Sequence, residues 1–422
     1  MQYIQAKVTQ EANFYGKLNP VELIEKYGGP LYIYSERILR ERCRDIKRLM
    51  RGPNFIVNYS AKANSNLSLL KIIKDEGCCV DAMSPGEIYV QLQAGFQPAQ
   101  ILYIGNNVSA EEMNYAINQG IQVSVDSLSQ LELYGKINPH STVVARFNTG
   151  VGAGHHKKVV TGGEKTKFGI ETAFIPEVKD ILQKYHLRLI GINQHIGSHF
   201  MDTHSYISGV QALLDVATQF PDLEFIDLGG GFGIPYHKYE NEQRLDLAEL
   251  SEKLEVILTK WVNTYGKQMN FKVEPGRYLV AECGILLGKV HTVKTNYMTK
   301  YIGTDLGFNV LMRPVLYNSY HDIEIYRSSN MQSRCQEAVT IVGNICESGD
   351  IIAEERKLPE VFEEDIIGVL DAGAYGYSMA SNYNNRLRPA EVLITTQGDD
   401  VLIRQRETLE DLVRHYNSNA HY

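Results

Sequence analysis

No run of about 18 apolar residues occurs anywhere in the chain, so no membrane-spanning helix is expected. The N-terminus, MQYIQAKVTQ, carries polar and charged residues where a signal peptide needs an apolar stretch. Cysteine is sparse. The six are Cys43, Cys78, Cys79, Cys283, Cys335 and Cys346, and no CxxC pair or CxxC…H pattern occurs among them. That excludes the common zinc and thioredoxin-like spacings, and a chain this long does not need a disulfide framework. A reducing cytoplasm is the expected compartment. Positive charge is not in excess either. The net charge of −8 argues against nucleic acid or an anionic membrane as partner, although a local basic pocket for a small anion remains open. Internal repeats and low-complexity tracts are absent.

What remains is an ordinary globular composition. With 44% hydrophobic and 22% charged residues, disorder, coiled coil and collagen are excluded. A length of 422 residues exceeds one ordinary core and predicts two domains.

Between about residues 54 and 275, short β-branched runs alternate with longer stretches of helical spacing. The eight candidate strands are Phe55–Tyr59, Cys79–Met83, Ile101–Ile104, Gln122–Val125, Val143–Phe147, Leu189–Gln194, Glu224–Leu228 and Phe271–Val273. Segments such as Leu67–Glu76, Pro85–Ala94, Ala110–Gln119 and Ile175–Tyr185 place apolar residues at helical spacing between them. Eight βα steps over this length predict an α/β fold of the (β/α)8, TIM-like barrel type, with a doubly wound open sheet as the alternative. Beyond residue 282 strand-like runs dominate, namely Ile285–Thr295, Ala338–Val342, Ile366–Leu370, Val392–Thr396 and Val401–Arg404. The last two flank a hairpin signal, Gln397-Gly-Asp-Asp400. The expected division is a barrel over 34–281, a mostly β domain over 282–422, and an N-terminal segment, 1–33, packing with the β domain. That segment ends on another strand pattern, Leu31–Tyr34.

Active sites of such barrels form at the C-terminal ends of the strands, and four of those ends carry candidate chemistry. Strand 1 runs into Tyr59-Ser-Ala-Lys62. A lysine closing an apolar strand would be partly desolvated, which lowers its pKa and frees the amine for Schiff-base chemistry. Alternatively it simply leaves the rim for water. Strand 6 ends in Gln194-His195-Ile-Gly-Ser198, where a histidine could stack on an aromatic cofactor ring and a serine could bond a phosphate, or the histidine could be structural. Strand 7 ends in Asp227-Leu-Gly-Gly-Gly231-Phe-Gly233. Glycines there expose backbone N–H groups and permit a turn that cradles an anion, or they form a tight turn alone. Strand 8 ends in Glu274-Pro-Gly-Arg277, where the carboxylate could hold a pyridinium proton and the guanidinium a phosphate or carboxylate. A local salt bridge is the plain alternative. Four independent accidents on strands 1, 6, 7 and 8 would be needed to dismiss a site. One Gly-rich stretch, Gly150-Val-Gly152-Ala-Gly154-His155, is not a nucleotide loop, since no helix follows it. Its His155-His156 pair lacks metal-ligand spacing, and no metal is expected.

In combination, YSAKAN, HIGS, GGGFG, EPGR, RPVLY, CESGD and DAGAYGY resemble the diaminopimelate decarboxylases, pyridoxal phosphate (PLP) enzymes on the alanine-racemase barrel fold. The resemblance runs from Gly29 to Glu391. It implies that Lys62 carries PLP, that His195 stacks on its ring, and that Glu274 pairs with its pyridine nitrogen. It further implies that Ser198 and the glycines around Gly231 (Gly230 and Gly233, with Gly276 and Arg277 on the next turn) hold the phosphate, with Tyr375 near phosphate and substrate. Arg277, Arg313 and Tyr317 would bind the substrate's far carboxylate and Glu347 its far ammonium. Cys346 would donate the proton. In this family Cys346 and Glu347 serve the neighbouring subunit's site, so a homodimer is implied. The implied reaction is meso-2,6-diaminopimelate to L-lysine and CO2, the last step of lysine biosynthesis. A glutamate opposite the pyridine nitrogen favours a decarboxylase over a racemase, because a protonated ring is the better electron sink. The rivals are a decarboxylase of another diamino acid, such as D-ornithine or D-lysine, and a non-catalytic PLP-binding homologue. Two departures from the family pattern, His199-Phe200 after HIGS and Asn148-Thr149 after strand 5, bear on the substrate.

Overall fold

The computed structural model describes residues 2–50, 54–152, 163, 166–327 and 335–416. The chain divides into two compact units. One comprises Leu39–Pro235 and Gln243–Leu279, the other Met1–Ile38, Tyr236–Glu242 and Val280–Tyr422.

In the first unit eight parallel strands close on themselves: Phe55–Ser60, Cys79–Ala82, Ile101–Tyr103, Gln122–Val125, Thr142–Asn148, Arg188–Asn193, Phe225–Gly230 and Asn270–Glu274. Each pairs with the next in sequence, and the eighth returns to the first through Phe271 opposite Phe55. The (β/α)8 barrel expected from the alternation is therefore present, and the open sheet is excluded. A barrel strand is covered on both faces, which is why these runs read as nearly continuous Val, Ile, Leu and Tyr rather than alternating. Serines set the start of several helices. Ser84, Ser109 and Ser127 accept from the backbone N–H of Glu87, Glu112 and Gln130, and Glu112 returns a bond to Ser109 in a capping box. Inside the unit, Leu102, Ile104, Val144, Ile190 and Phe225 form one buried cluster.

The second unit is a ten-stranded, mostly antiparallel sheet. Its spine is the long strand Gly284–Asn296. The first half of the spine lies between Ile366–Val369 and Leu31–Ser35, and the second half pairs with Thr299–Thr304. Leu31–Ser35 runs parallel to Ala390–Ile394, which turns back into Asp400–Arg404 through Gly398 at φ 84°. Gln336–Val342, which pairs with Thr299–Thr304 and Ile351–Pro359, and the strands Gln2–Gln5, Thr299–Thr304, Ile323–Arg327 and Ile351–Pro359, which periodicity did not mark, complete the sheet. The segment Tyr236–Glu242 is tied to this unit by carboxylates. The backbone N–H of Lys238 donates to Asp322 (2.7 Å), and the Tyr239 hydroxyl donates to Glu324 (3.0 Å). No described helix is long and apolar enough to cross a membrane.

One ion pair in this sheet is fully buried. Arg327 donates from Nε and Nη2 to the two oxygens of Asp365, both at 2.6 Å, with each side chain 3% exposed. Removing the anion would leave a buried guanidinium without its counter-charge. Asp365→Ala is expected to destabilise the protein by about 3–5 kcal/mol, read as a fall in the thermal unfolding midpoint. An unchanged midpoint would show that the pair is dispensable.

Candidate active site

The barrel's buried charges gather around the ends of its strands. Strand 1 continues into the turn Ala61–Ala63, which carries Lys62. The turn is pinned from strand 2, since Ser60 Oγ and the Ala61 N–H both donate to Asp81, at 2.6 and 3.3 Å. Lys62 is exposed. This corrects the expectation of an amine desolvated by its apolar strand, since the residue lies on the turn that follows the strand.

Strand 8 ends on Glu274, which is 6% exposed, and its Oε1 has no hydrogen-bond partner among the described residues. Burial, with the like charges of Asp227 and Asp81, pushes its carboxyl well above the usual range, against the pull of Lys62 and Arg146. Burial also raises Asp81, to about 7, with Lys62 and the Ser60 hydrogen bond opposing. Asp227 is raised by burial to about 6, with Lys272 opposing. These three acids share one cluster of charges, so the charge of one bears on the protonation of the others.

His195 closes strand 6. The Gly230 N–H donates to its Nδ1 at 3.2 Å, so the ring is an acceptor there and carries its proton on Nε2. Burial, Lys62 and Arg146 all hold its pKa well below the ordinary value, which keeps the ring neutral. Nearby, Arg277 Nη2 donates to Ser198 Oγ at 2.9 Å.

The glycines of strand 7 act first by permitting close approach. A Cβ on Gly229 would lie 2.3 Å from the Gln194 carbonyl oxygen, one on Gly230 1.8 Å from that of Glu274, and one on Gly231 2.3 Å from that of Gly197. Gly231 also takes φ 107°, a conformation side chains rarely adopt. A Cβ on Gly233 would strike Phe200 and Met201, and one on Gly276 would press on Ser60 and Ala63, at 3.1 and 3.3 Å. Several of these amides are engaged within the protein: Gly229 with Asp227, Gly230 with His195, and Gly233 with the Phe200 carbonyl. The loops of strands 1, 6, 7 and 8 are thereby held together.

Sequence reasoning missed Asp81 and Arg146, and assigned Asp227 no role. Each is nearly inaccessible, and Arg146 Nη2 and Asp227 Oδ2 lack partners among the described residues. The signal was a charge inside an apolar strand, which a barrel tolerates only where charges meet. The residues of the two departures from the family pattern can also be placed, and His199 Nε2 lies 2.8 Å from the carbonyl oxygen of Ile234. Phe200 is core, stacked on Tyr206 at 4.8 Å and packed on Phe232 at 5.2 Å. Asn148 Oδ1 accepts from Gly150 and Gly163, and Thr149 Oγ1 donates to Gln194. The His155-His156 pair lies outside the described residues.

The other unit carries the remaining candidates. Arg313 opens the short helix Arg313–Tyr317 and is 2% exposed, while Tyr317, at its end, is half-buried. Tyr375, also half-buried, takes φ 56°. Cys346 and Glu347 are exposed on one turn. The Cys346 N–H donates to Asn384 Oδ1 at 2.8 Å, and the Tyr383 hydroxyl donates to Glu347 at 2.5 Å.

The barrel residues fit pyridoxal phosphate. A buried acid with an unpartnered oxygen suits a pyridine nitrogen, a neutral imidazole suits the ring face, and the Ser198–Arg277 pair suits a phosphate. The class follows from comparison as well, since the model of the family "Pyridoxal-dependent decarboxylase, pyridoxal binding domain" matches residues 36–281. A diaminopimelate decarboxylase of Methanothermobacter thermautotrophicus is 42% identical over 414 residues, covering 96% of this chain and 95% of its own. The crystal structure of diaminopimelate decarboxylase from Helicobacter pylori complexed with L-lysine superposes with a TM-score of 0.86. It is 31% identical, and the match covers 94% of this chain and 98% of that one. A Methanocaldococcus jannaschii diaminopimelate decarboxylase is 35% identical over 411 residues, covering 93% of this chain and 92% of its own. The chain belongs to the diaminopimelate decarboxylases.

The acid cluster predicts a pH dependence. Folded Asp81 keeps its proton to about 7, whereas an unfolded aspartate loses it near 3.8. Its contribution to stability is full below the unfolded value and is lost as pH rises from about 4 to about 7. Asp81→Asn should flatten this decline in the unfolding midpoint of the protein freed of cofactor. A variant that declines as steeply as the parent would remove Asp81 as its source.

Proposed function

We propose that this chain converts meso-2,6-diaminopimelate to L-lysine and CO2, using pyridoxal phosphate held in the barrel. The observation that carries the substrate reading is the burial of Arg313. A guanidinium at 2% exposure is a permanent cation held out of bulk water, where it binds a carboxylate with little competition from solvent. Diaminopimelate brings a second carboxylate at its far end, where ornithine and lysine bring only an ammonium. Arg277 and Tyr317 are assigned as further donors to that carboxylate, and Glu347 as acceptor for the far ammonium.

When bound, pyridoxal phosphate supplies the electron sink for the charge that departing CO2 leaves behind. The chain's own groups have separate tasks. Lys62 would hold the cofactor through its amine. The uncharged ring of His195 offers it a flat face. Glu274 would accept from the ring nitrogen through Oε1, which lacks a partner among the described residues. Ser198, Gly230, Gly231, Gly233, Gly276, Arg277 and Tyr375 enclose the phosphate. Cys346 delivers a proton from Sγ to the carbon that lost CO2, and that proton balances the reaction. We further propose a homodimer in which Cys346 and Glu347 complete the neighbouring copy's site. Their exposure on this chain supports that reading. A reducing cytoplasm, which keeps an exposed thiol such as Cys346 reduced, is the proposed compartment.

Two experiments test the reading. CO2 release from the PLP-loaded enzyme should favour meso-diaminopimelate over D-lysine and D-ornithine by about 10²-fold or more, as for a site built to bond a group the analogue lacks. Equal turnover of D-lysine would refute the Arg313 assignment. Separately, Lys62→Ala and Cys346→Ala should each be inactive. Mixing them under subunit exchange should then restore roughly a quarter of the sites, as random re-pairing of a two-fold dimer requires. No recovery would rule out shared sites.

A further inference from the structure

Arg313 is held on two sides. Its guanidinium carbon sits 4.8 Å from the centroid of the Tyr236 ring, and its Nη1 lies 2.7 Å from Nε2 of His321. His321 is 1% exposed, and its Nδ1 lies 2.6 Å from the carbonyl oxygen of Leu370. Tyr236 and His321 meet edge to face, with centroids 5.4 Å apart.

These partners settle the tautomer. A guanidinium can only donate and a carbonyl oxygen can only accept. Nε2 of His321 therefore accepts from Arg313, and its Nδ1–H donates to Leu370. A proton on both nitrogens would set N–H against N–H and a second cation beside the first. The ring is thus a neutral acceptor with a fixed direction. A carboxylate in its place would anchor the guanidinium equally well, but it would also neutralise it. An uncharged anchor removes rotational freedom and does not itself neutralise the guanidinium.

We infer that His321 is a positioning residue for substrate recognition. Through Arg313 it sets the plane in which the guanidinium receives the far carboxylate, and so supports the choice of dicarboxylic over monocarboxylic diamino acids. This rests on the assignment of Arg313 made above.

The test compares two ligands on the PLP-loaded enzyme by calorimetry. L-Lysine retains the far carboxylate, and cadaverine lacks it. His321→Asn can still reach Leu370 but is too short for Arg313. It is expected to weaken L-lysine binding by about tenfold, the scale of one hydrogen bond to a charged group, and to leave cadaverine unchanged. His321→Gln places an amide oxygen within reach of Arg313 and should recover most of the loss. If His321→Asn does not fold, His321→Phe is measured in its place. The inference is overturned if the variant binds L-lysine like the parent, or if both ligands weaken equally, as a merely structural role would give. Arg313→Ala separates the two levels of the argument. If it keeps the preference for L-lysine, the carboxylate assignment itself has failed and the inference falls with it. If it loses the preference while His321→Asn retains it, only the role of His321 is wrong.

Discussion

Three carboxylates are buried around one end of the barrel, and the rest of the site is arranged around that constraint. Asp81, Asp227 and Glu274 are each raised by desolvation, and each is drawn back by nearby cations: Lys62 for Asp81, Lys62 and Arg146 for Glu274, and Lys272 for Asp227. A protein cannot hold three such groups ionised in a low-dielectric interior without compensation. Protonation of the acids and proximity to the cations are the two compensations available, and the raised pKa values and the neighbouring cations point to both. The same balance governs His195, which two neighbouring cations and burial keep neutral. One cluster of charges thereby leaves a protonatable acid and an uncharged imidazole, the two groups proposed above for a ring nitrogen and a ring face.

That cluster exists only because the loops approach one another so closely. Gly229, Gly230 and Gly231 let strand 7 come within contact of the Gln194, Glu274 and Gly197 carbonyls, and Gly276 lets the turn after strand 8 rest on Ser60 and Ala63. A side chain at Gly230 would displace the backbone that positions Glu274. The glycines therefore act on the chemistry through geometry, and their engaged amides, such as Gly230 to His195 Nδ1, fix the tautomer of the neighbouring ring.

The barrel was legible because each of its eight strands is a compact apolar run bounded by helix-forming segments, so that period and spacing alone define it. The candidate site was legible because Lys62, His195, Glu274 and Arg277 stand at or just past strand ends. Other features were hidden for identifiable reasons. Arg146 and Asp81 lie inside apolar strands, where a single charge reads as noise until the closed barrel shows that such charges meet. Ile351–Pro359 contains Glu354, Glu355, Arg356 and Lys357, which obscure its strand character, and Ile323–Arg327 buries Glu324 and Arg327 against partners distant in sequence. Phe200 looked like a pocket substitution from its neighbours in sequence, yet its contacts are Tyr206 and Phe232. The exposure of Lys62 depends on a three-residue turn that no apolar pattern encodes. His321 carries no motif, and only the folded chain brings partners of opposite kind to its two nitrogens.

The second unit distributes rigidity unevenly, and the distribution matches the proposed roles. Arg313, assigned to recognition, is buried and fixed by an aromatic face and a neutral acceptor. Discrimination between a dicarboxylic and a monocarboxylic substrate requires a cation that does not move away when the carboxylate is missing, and a preorganised site meets that requirement. Cys346 and Glu347, assigned to proton delivery and to the ammonium, are exposed instead, and are held from the turn that carries Tyr383 and Asn384. Residues exposed in one copy can be enclosed by another, and a proton donor that arrives with a second subunit is shielded from water only once the dimer forms. Under the proposed arrangement, the fixed cation sets which substrate is accepted. Assembly would then decide when the acid is in place, so that a lone copy could bind substrate but would lack the donor needed to finish the reaction.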